Sequence, residues 1–352
     1  MIGKKIFDKV FITHLPSFYK VNLYQNLSKK CSICVIFIGR GSSERPDDFS
    51  SVLNNIPHYF LNEGVFEKRN KLLSCLKLFK LLRKIQAKEW VVGGWDLPEF
   101  WLTVYLNKKQ INAVVVESTY RAASRKNMWL KKQFIKRVNK AYASGNAQLE
   151  LLDKVGFQGR SQKTGGVGIV DWHSISLFRR QATKFIYVGR FAPEKNLPLL
   201  MAAFKQCLNV QLTMVGDGPL GPALKATASD NVSFISYIPH QQLPKLLSQY
   251  DVLILPSHQE AWGIVVEEAQ LCGLPVIVSS AVGCANERVQ ELGGGIIFKN
   301  GSLQSLVSAI VDIQDPFLYQ SLLKKISTIQ FEAIKEKQVL SYIEENEYST
   351  CS

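Results

Sequence analysis

The strongest constraint on this chain is an alternation. Short β-type runs, many of them unbroken Val and Ile, are each followed by a stretch with helical periodicity. A strand that is apolar at every position must be covered on both faces. A strand–helix–strand succession does this by enclosing a parallel sheet between helices. In the first half the runs are KVFITH (9–14), CVIFIG (34–39), PHYFLN (57–62), WVVGGW (90–95), NAVVVES (112–118), AYASG (141–145) and VGIVD (167–171). Helical stretches lie near 20–30, 65–86, 99–109, 127–140 and 147–156. In the second half, strands at 185–190, 212–217, 232–238, 251–257, 275–280 and 295–299 are each followed by a helix, near 196–208, 219–228, 240–249, 264–272, 285–291 and 302–313. The expected fold is α/β, with two doubly wound Rossmann-like domains facing a cleft. Ligands in such folds sit at the carboxyl edges of the sheets, so the loops after strands are where chemistry is expected.

The length of 352 residues suits two domains, and 46% hydrophobic against 20% charged residues is enough for a full core. No apolar run approaches the roughly 18 residues of a membrane span. Asp8 and Lys9 fall where a signal peptide needs its apolar centre, which argues against export. Seven scattered cysteines fit reduced thiols better than a disulfide frame, and CSIC (31–34) has CxxC spacing without a second pair. The charge is uneven. Residues 1–170 hold 29 Lys and Arg against 12 Asp and Glu, a balance of +17, and the remainder balances at −3. The boundary falls in Asp171–Thr183, which has neither strand nor helix pattern and reads as a linker. The expected division is 1–172, basic; 173–330; and a final helical segment, 331–352, crossing back onto the first domain.

In the second half, GRFAPEKN (189–196) leaves a strand at Gly189 and carries Arg190 and Lys195 toward a helix. Two cations near a helix N-terminus suit a diphosphate. In SHQEAWGIVVEEAQ (257–270), Glu260 lies on the loop and Gly263 marks a sharp turn. The following helix start, Gly263-Ile264-Val265, can offer backbone N–H groups to a phosphate. Glu268, one turn in, can accept from paired sugar hydroxyls, whereas Glu267 reads as a surface charge.

GRFAPEKN, MVGDGPL (214–220), FISYIP (234–239), YDVLILPSHQEAWGIVVEEAQLCGLPVIVSS (250–280) and VGCANE (282–287) occur in the order and spacing of retaining glycosyltransferases of family 4, which have the GT-B fold, and resemble them closely over 183–300. Glu260 and Glu268 meet the E-x7-E arrangement. The resemblance implies that Arg190 and Lys195 hold the diphosphate of a nucleotide-sugar donor, with backbone groups around Gly263, Ile264 and Val265 adding to that site. Glu268 would take the ribose hydroxyls, Glu260 the donor sugar, and the segment at Tyr237 and Ile238 would face the base. No resident cofactor and no catalytic metal are expected.

Across the first half the resemblance is looser. THLPSFYKVNLY (13–24) follows the first strand and lacks the glycines many relatives carry. It looks like the Pro-x-x-Tyr-Arg/Lys variant of bacterial polysaccharide transferases, with His14, Tyr19 and Lys20 as acceptor-side candidates. GGWD (93–96) adds Trp95 and Asp96. Glu117 stands roughly where many relatives have a catalytic-site His and is the acid/base candidate. Two helices look basic: 66–88, with Lys77, Lys80, Lys84 and Lys88 on one face and Leu72, Leu76, Phe79 and Leu82 for packing, and 128–140, with Lys132, Lys136 and Lys140 beside Trp129 and Phe134. Such faces suit an anionic bilayer.

The expectation is a cytoplasmic glycosyltransferase at the inner face of a bacterial plasma membrane. It would move a sugar, with retention, to a lipid-linked glycan in surface-polysaccharide synthesis. A GT-B nucleotide-sugar epimerase is disfavoured by the Glu260/Glu268 pair. A glycogen-synthase type is disfavoured by the short N-terminal half. A basic nucleic-acid-binding protein lacks interleaved aromatics or a helix-turn-helix pattern, so no nucleic-acid partner is expected.

Overall fold

The computed structural model describes residues 6–43, 55–120, 128–172 and 181–343. Most of the expected linker, 173–180, lies outside them. The chain forms two compact units. The first takes the described residues up to Asp171 and resumes at Ala333; the second runs Trp172–Glu332.

The first unit has seven strands: β1 (Ile6–Thr13), β2 (Ile33–Phe37), β3 (His58–Phe60), β4 (Gln86–Val92), β5 (Asn112–Val116), β6 (Lys140–Ala143) and β7 (Arg160–Lys163). They form one parallel sheet in the order β3-β2-β1-β4-β5-β6-β7. Its helices are α1 (Phe18–Ser28), α2 (Lys71–Lys84), α3 (Pro98–Leu106), α4 (Met128–Ile135) and α5 (Asn146–Val155). Side chains alternate across a strand, so the sheet builds two cores. On β1, Val10 and Ile12 enter one with Leu78, Phe100, Phe134 and Leu151, while Phe11 enters the other with Tyr24, Val91 and Tyr142.

The second unit has β8 (Lys184–Val188), β9 (Gln211–Val215), β10 (Val232–Ile235), β11 (Val252–Leu255), β12 (Val276–Ser279) and β13 (Gly295–Phe298), again parallel, in the order β10-β9-β8-β11-β12-β13. Its helices are α6 (Leu197–Phe204), α7 (Gly221–Ala226), α8 (Leu243–Leu247), α9 (Ile264–Leu271), α10 (Leu303–Asp312) and α11 (Pro316–Ser327). The next helix, α12 (Phe331–Ser341), leads back to the first unit. There Val339 and Tyr342 join the Phe11 core, and the Tyr342 ring stacks on Tyr142 with centroids 4.5 Å apart.

Several elements differ from expectation. VGIVD is buried through Val170 but is not a strand: the Ile169 amide donates to the Tyr19 carbonyl and Asn22 donates to that of Ile169. The edge place in the sheet goes to β7, whose RSQK sequence has no apolar residue to announce it. Helix α11 has no counterpart among the expected helices, although Asp315 caps it by accepting from the Leu318 amide at 2.8 Å and Pro316 opens it. Lys88 and Lys140 lie on strands and not on helices. Lys88 pairs with Asp8 at 2.8 Å, and buried Lys140 lies over the Tyr142 ring.

Tyr342 is 2% exposed. Tyr342→Ala is expected to destabilise the first unit by about 3–5 kcal/mol, the usual cost of removing a buried aromatic, as read by urea unfolding.

Candidate active site

In each sheet the strand order reverses beside the first strand of its unit, between β1 and β4 and between β8 and β11. The loops leaving those strands therefore emerge as neighbours at the carboxyl edge.

In the second unit, Gly189 follows the end of β8. The Tyr187 hydroxyl donates to the Arg190 carbonyl at 2.9 Å. Phe191 is buried; its amide donates to the Asp217 carbonyl (2.8 Å) and its own carbonyl accepts from Leu220 (3.0 Å). The β8 loop is thus clamped to the GDGP loop after β9. The clamp requires glycine at 216, where a Cβ would lie 2.2 Å from the Gly189 carbonyl oxygen. A single 3-10 turn, Pro193–Lys195, then carries Lys195 to the edge of α6.

The β11 loop meets this one. The amides of His258 and Gln259 donate to the Glu194 carbonyl at 3.1 and 3.3 Å. The Lys195 ammonium forms an ion pair with the Glu260 carboxylate, and both side chains are largely buried. Ser257 also donates to Glu260, at 3.4 Å. The structure therefore brings together two predicted site residues 65 positions apart in the chain. Arg190 lies exposed on the same loop. Gly263 is left-handed (φ 97°) and opens α9, so the amides of Ile264 and Val265 lie at a helix start. Tyr237 is exposed after β10, with its amide held by the Asp217 carboxylate at 2.8 Å; Ile238 follows it, partly buried.

Glu268 is buried on α9 and accepts a hydrogen bond from His240 Nε2 at 2.8 Å. The Trp172 ring stacks on that imidazole, centroids 4.7 Å apart. Sequence reasoning missed both His240 and Trp172. Neither stands at a fixed spacing from Glu268, and only the fold joins them. Glu267 is a correction. It is buried and not a surface charge, accepting from Trp262 Nε1 at 2.7 Å and pairing with the buried Arg288 at 3.1 Å. The short-range pattern of α9 misleads because the helix is buried on nearly all sides.

In the first unit the candidates form two pairs at the carboxyl edge. His14, after β1, bonds Asp96, after β4, at 3.1 Å, with its ring edge-on to Phe100. Lys20, buried on α1, pairs with Glu117, after β5, at 3.1 Å. Tyr19 is partly buried on α1. Trp95 packs partly into the core, and its carbonyl accepts from Trp101. Burial works to lower the Lys20 pKa, but the Glu117 carboxylate outweighs it and the net shift is upward. Burial pushes the neighbouring Tyr24 phenol up to about 12.

Both groups hold their protons in the folded state beyond the pH at which the unfolded chain releases them. Their stabilising contribution is complete below about pH 10 and is lost as pH rises through the folded values. The stability advantage of the wild type over Tyr24→Phe is therefore expected to shrink between about pH 10 and 12, as read by urea unfolding across that range. Glu267→Ala, which removes the carboxylate paired with buried Arg288, is expected to cost about 3–5 kcal/mol, visible as a lowered thermal midpoint.

Comparison with known proteins gives related matches. The fold of the chain is similar to that of solved glycosyltransferase structures. Sucrose-phosphate synthase from Thermosynechococcus elongatus superposes with a TM-score of 0.74 at 18% identity, covering 96% of this chain and 98% of the other. HepE from Anabaena, in complex with UDP and glucose, superposes with a TM-score of 0.69 at 15% identity, covering 95% and 99%. Among curated sequences, D-inositol 3-phosphate glycosyltransferase from Segniliparus rotundus is 30% identical over 124 residues, which is 32% of this chain and 28% of that protein. The chain thus spans less than a third of the length of this relative. The family described as "Glycosyl transferases group 1" matches residues 170–315. The two parallel-sheet α/β units thus share the fold of these solved structures, and the family match is confined to residues 170–315.

Proposed function

We propose that the protein is a retaining glycosyltransferase that moves a sugar from a nucleotide-diphosphate donor to a glycan hydroxyl. The observation that carries this reading is the Lys195–Glu260 pair at the carboxyl edge of the second sheet, beside the start of α9. Breaking a sugar–phosphate bond builds positive charge on the sugar carbon and negative charge on the diphosphate. A fixed carboxylate next to a fixed ammonium answers both. In this reading Arg190, Lys195 and the amides at Gly263, Ile264 and Val265 hold the diphosphate. Glu260 meets the sugar, Glu268 the ribose, and Tyr237 and Ile238 the base. This assignment of the leaving charge to cations and backbone needs no metal, so turnover is expected to survive EDTA. The first-unit pairs, His14 with Asp96 and Lys20 with Glu117, together with Tyr19 and Trp95, would serve the acceptor, with Glu117 as acid/base candidate.

The acceptor in this reading is lipid-linked, the site of action the inner membrane surface, and the product a bacterial surface polysaccharide. The support is an exposed face of the first unit. Of the four apolar side chains of α2 expected to pack, Leu82 does so, but Leu72, Leu76 and Phe79 stand in solvent beside exposed Leu73, Leu72 at 71% exposure. Trp129 and Leu130 of α4 are also exposed, Trp129 at 67%. Lys71, Lys80, Arg83 and Lys84 of α2 and Lys132 of α4 are exposed on the same helices. Apolar side chains amid cations match a bilayer with anionic headgroups. No helix among the described residues is long and apolar enough to cross a membrane, so contact would be peripheral.

Thermal unfolding with UDP, GDP, dTDP, ADP and CMP tests the donor site. One nucleoside diphosphate at about 100 times its Kd should stabilise by roughly 2.7 kcal/mol. Glu268→Ala should lose that shift, and Lys195→Ala should abolish transfer without unfolding. Near-normal turnover of Lys195→Ala would overturn the phosphate-site assignment. In vesicle flotation, binding to phosphatidylglycerol-containing vesicles should exceed binding to neutral ones and fall in Leu76→Glu and Trp129→Glu. Equal binding by these variants would remove the membrane surface from the reading.

A further inference from the structure

The His240–Trp172 pair beside Glu268 has no role in the donor chemistry above. A carboxylate as buried as that of Glu268, with its side chain 4% exposed, needs a fixed donor. His240 supplies it from outside α9, from the 3-10 turn His240–Gln242 that follows the β10 loop. The imidazole is itself held, because the Trp172 indole lies nearly parallel to it, at 27°. Two rings from distant parts of the chain thus fix the orientation of one carboxylate oxygen. The rotation of a carboxylate group decides whether it can meet two neighbouring hydroxyls together. A site built to hydrogen-bond a hydroxyl discriminates strongly against an analogue that lacks it.

We propose that His240, held by Trp172, is a positioning residue that orients the Glu268 carboxylate for the ribose diol and so makes the site selective for ribonucleotide over 2′-deoxyribonucleotide donors. This rests on the donor reading of Glu268 given above. His240 itself does not touch the reacting atoms. Its effect belongs to ground-state donor binding, so it should appear in KM for the donor with kcat little changed.

The test is calorimetric titration of the full chain with UDP and with 2′-deoxy-UDP. The wild type should prefer UDP by at least about tenfold, in line with loss of one charge-assisted hydrogen bond. His240→Ala should weaken UDP about tenfold and leave 2′-deoxy-UDP within about twofold, collapsing the selectivity. His240→Phe keeps a ring on Trp172 but removes the donor, and should behave like His240→Ala. His240→Gln can still donate to Glu268 and should recover part of the preference. Adding His240→Ala to Glu268→Ala should cause no further loss, because both act through one contact. Equal weakening of both ligands in His240→Ala and His240→Phe would make His240 merely structural and overturn the proposal. So would unchanged selectivity, or equal affinity of the wild type for UDP and 2′-deoxy-UDP. If neither the wild type nor any variant binds a nucleoside diphosphate, the donor reading itself fails. If the wild type binds and only Glu268→Ala matters, that reading stands and the role of His240 falls.

Discussion

The pairing of β8 with β11 is the constraint on which the second-unit site depends. Phe185 registers with Val252 and Ile186 with Leu253, so two parallel strands separated by more than sixty residues of chain run side by side and end together. Neither strand could be left uncovered, since β11 is apolar throughout and β8 is buried at Phe185, Ile186 and Tyr187. The helices that cover them force each connection to leave from the carboxyl edge and return at the other. Lys195 and Glu260 meet because of that geometry. Their ion pair follows from the sheet order, and the carbonyl of Glu194 taking two amides from the β11 loop keeps the two loops in step.

The first unit applies the same rule with different residues. His14 and Asp96 leave β1 and β4, which are neighbours, and Glu117 leaves β5, next to β4. Of the two pairs, Lys20–Glu117 is the more buried, whereas Asp96 of the His14 pair is exposed. Lys20 reaches Glu117 from within the first turns of α1, so the ion pair is set into the packing of that helix against the sheet. A buried pair of this kind is costly to separate but contributes little net stability compared with apolar packing, which makes it a device for orientation more than for strength.

Much of the architecture was legible in the sequence because the signals were long and local. Short β-type runs, many of them rich in Val and Ile, identify twelve of the described strands, and Glu260 and Glu268 stand at a spacing visible without coordinates. The failures have a common physical cause. Strand β7 has no apolar residue, because an edge strand can be held by its ladder alone. Glu267 reads as a surface charge until Trp262 and Arg288 arrive from other segments. His240 carries no spacing relation to Glu268, and its partner Trp172 sits beside a linker whose pattern is blank. The lysines at 88 and 140 continue a helical spacing past the real ends of α2 and α4, a reminder that periodicity does not mark where a helix stops.

The first unit is completed by residues that follow the second unit in the chain. Its chain departs at Asp171, and the segment carrying Val339 and Tyr342 returns only after the whole second unit has been made. During synthesis the face of the first sheet around Phe11, Tyr24 and Tyr142 therefore waits for its final cover. Until that segment leaves the ribosome, the nascent first unit presents an open apolar surface, while the second unit already has all of its strands. The core of the first unit thus closes only with residues made after the last strand of the second.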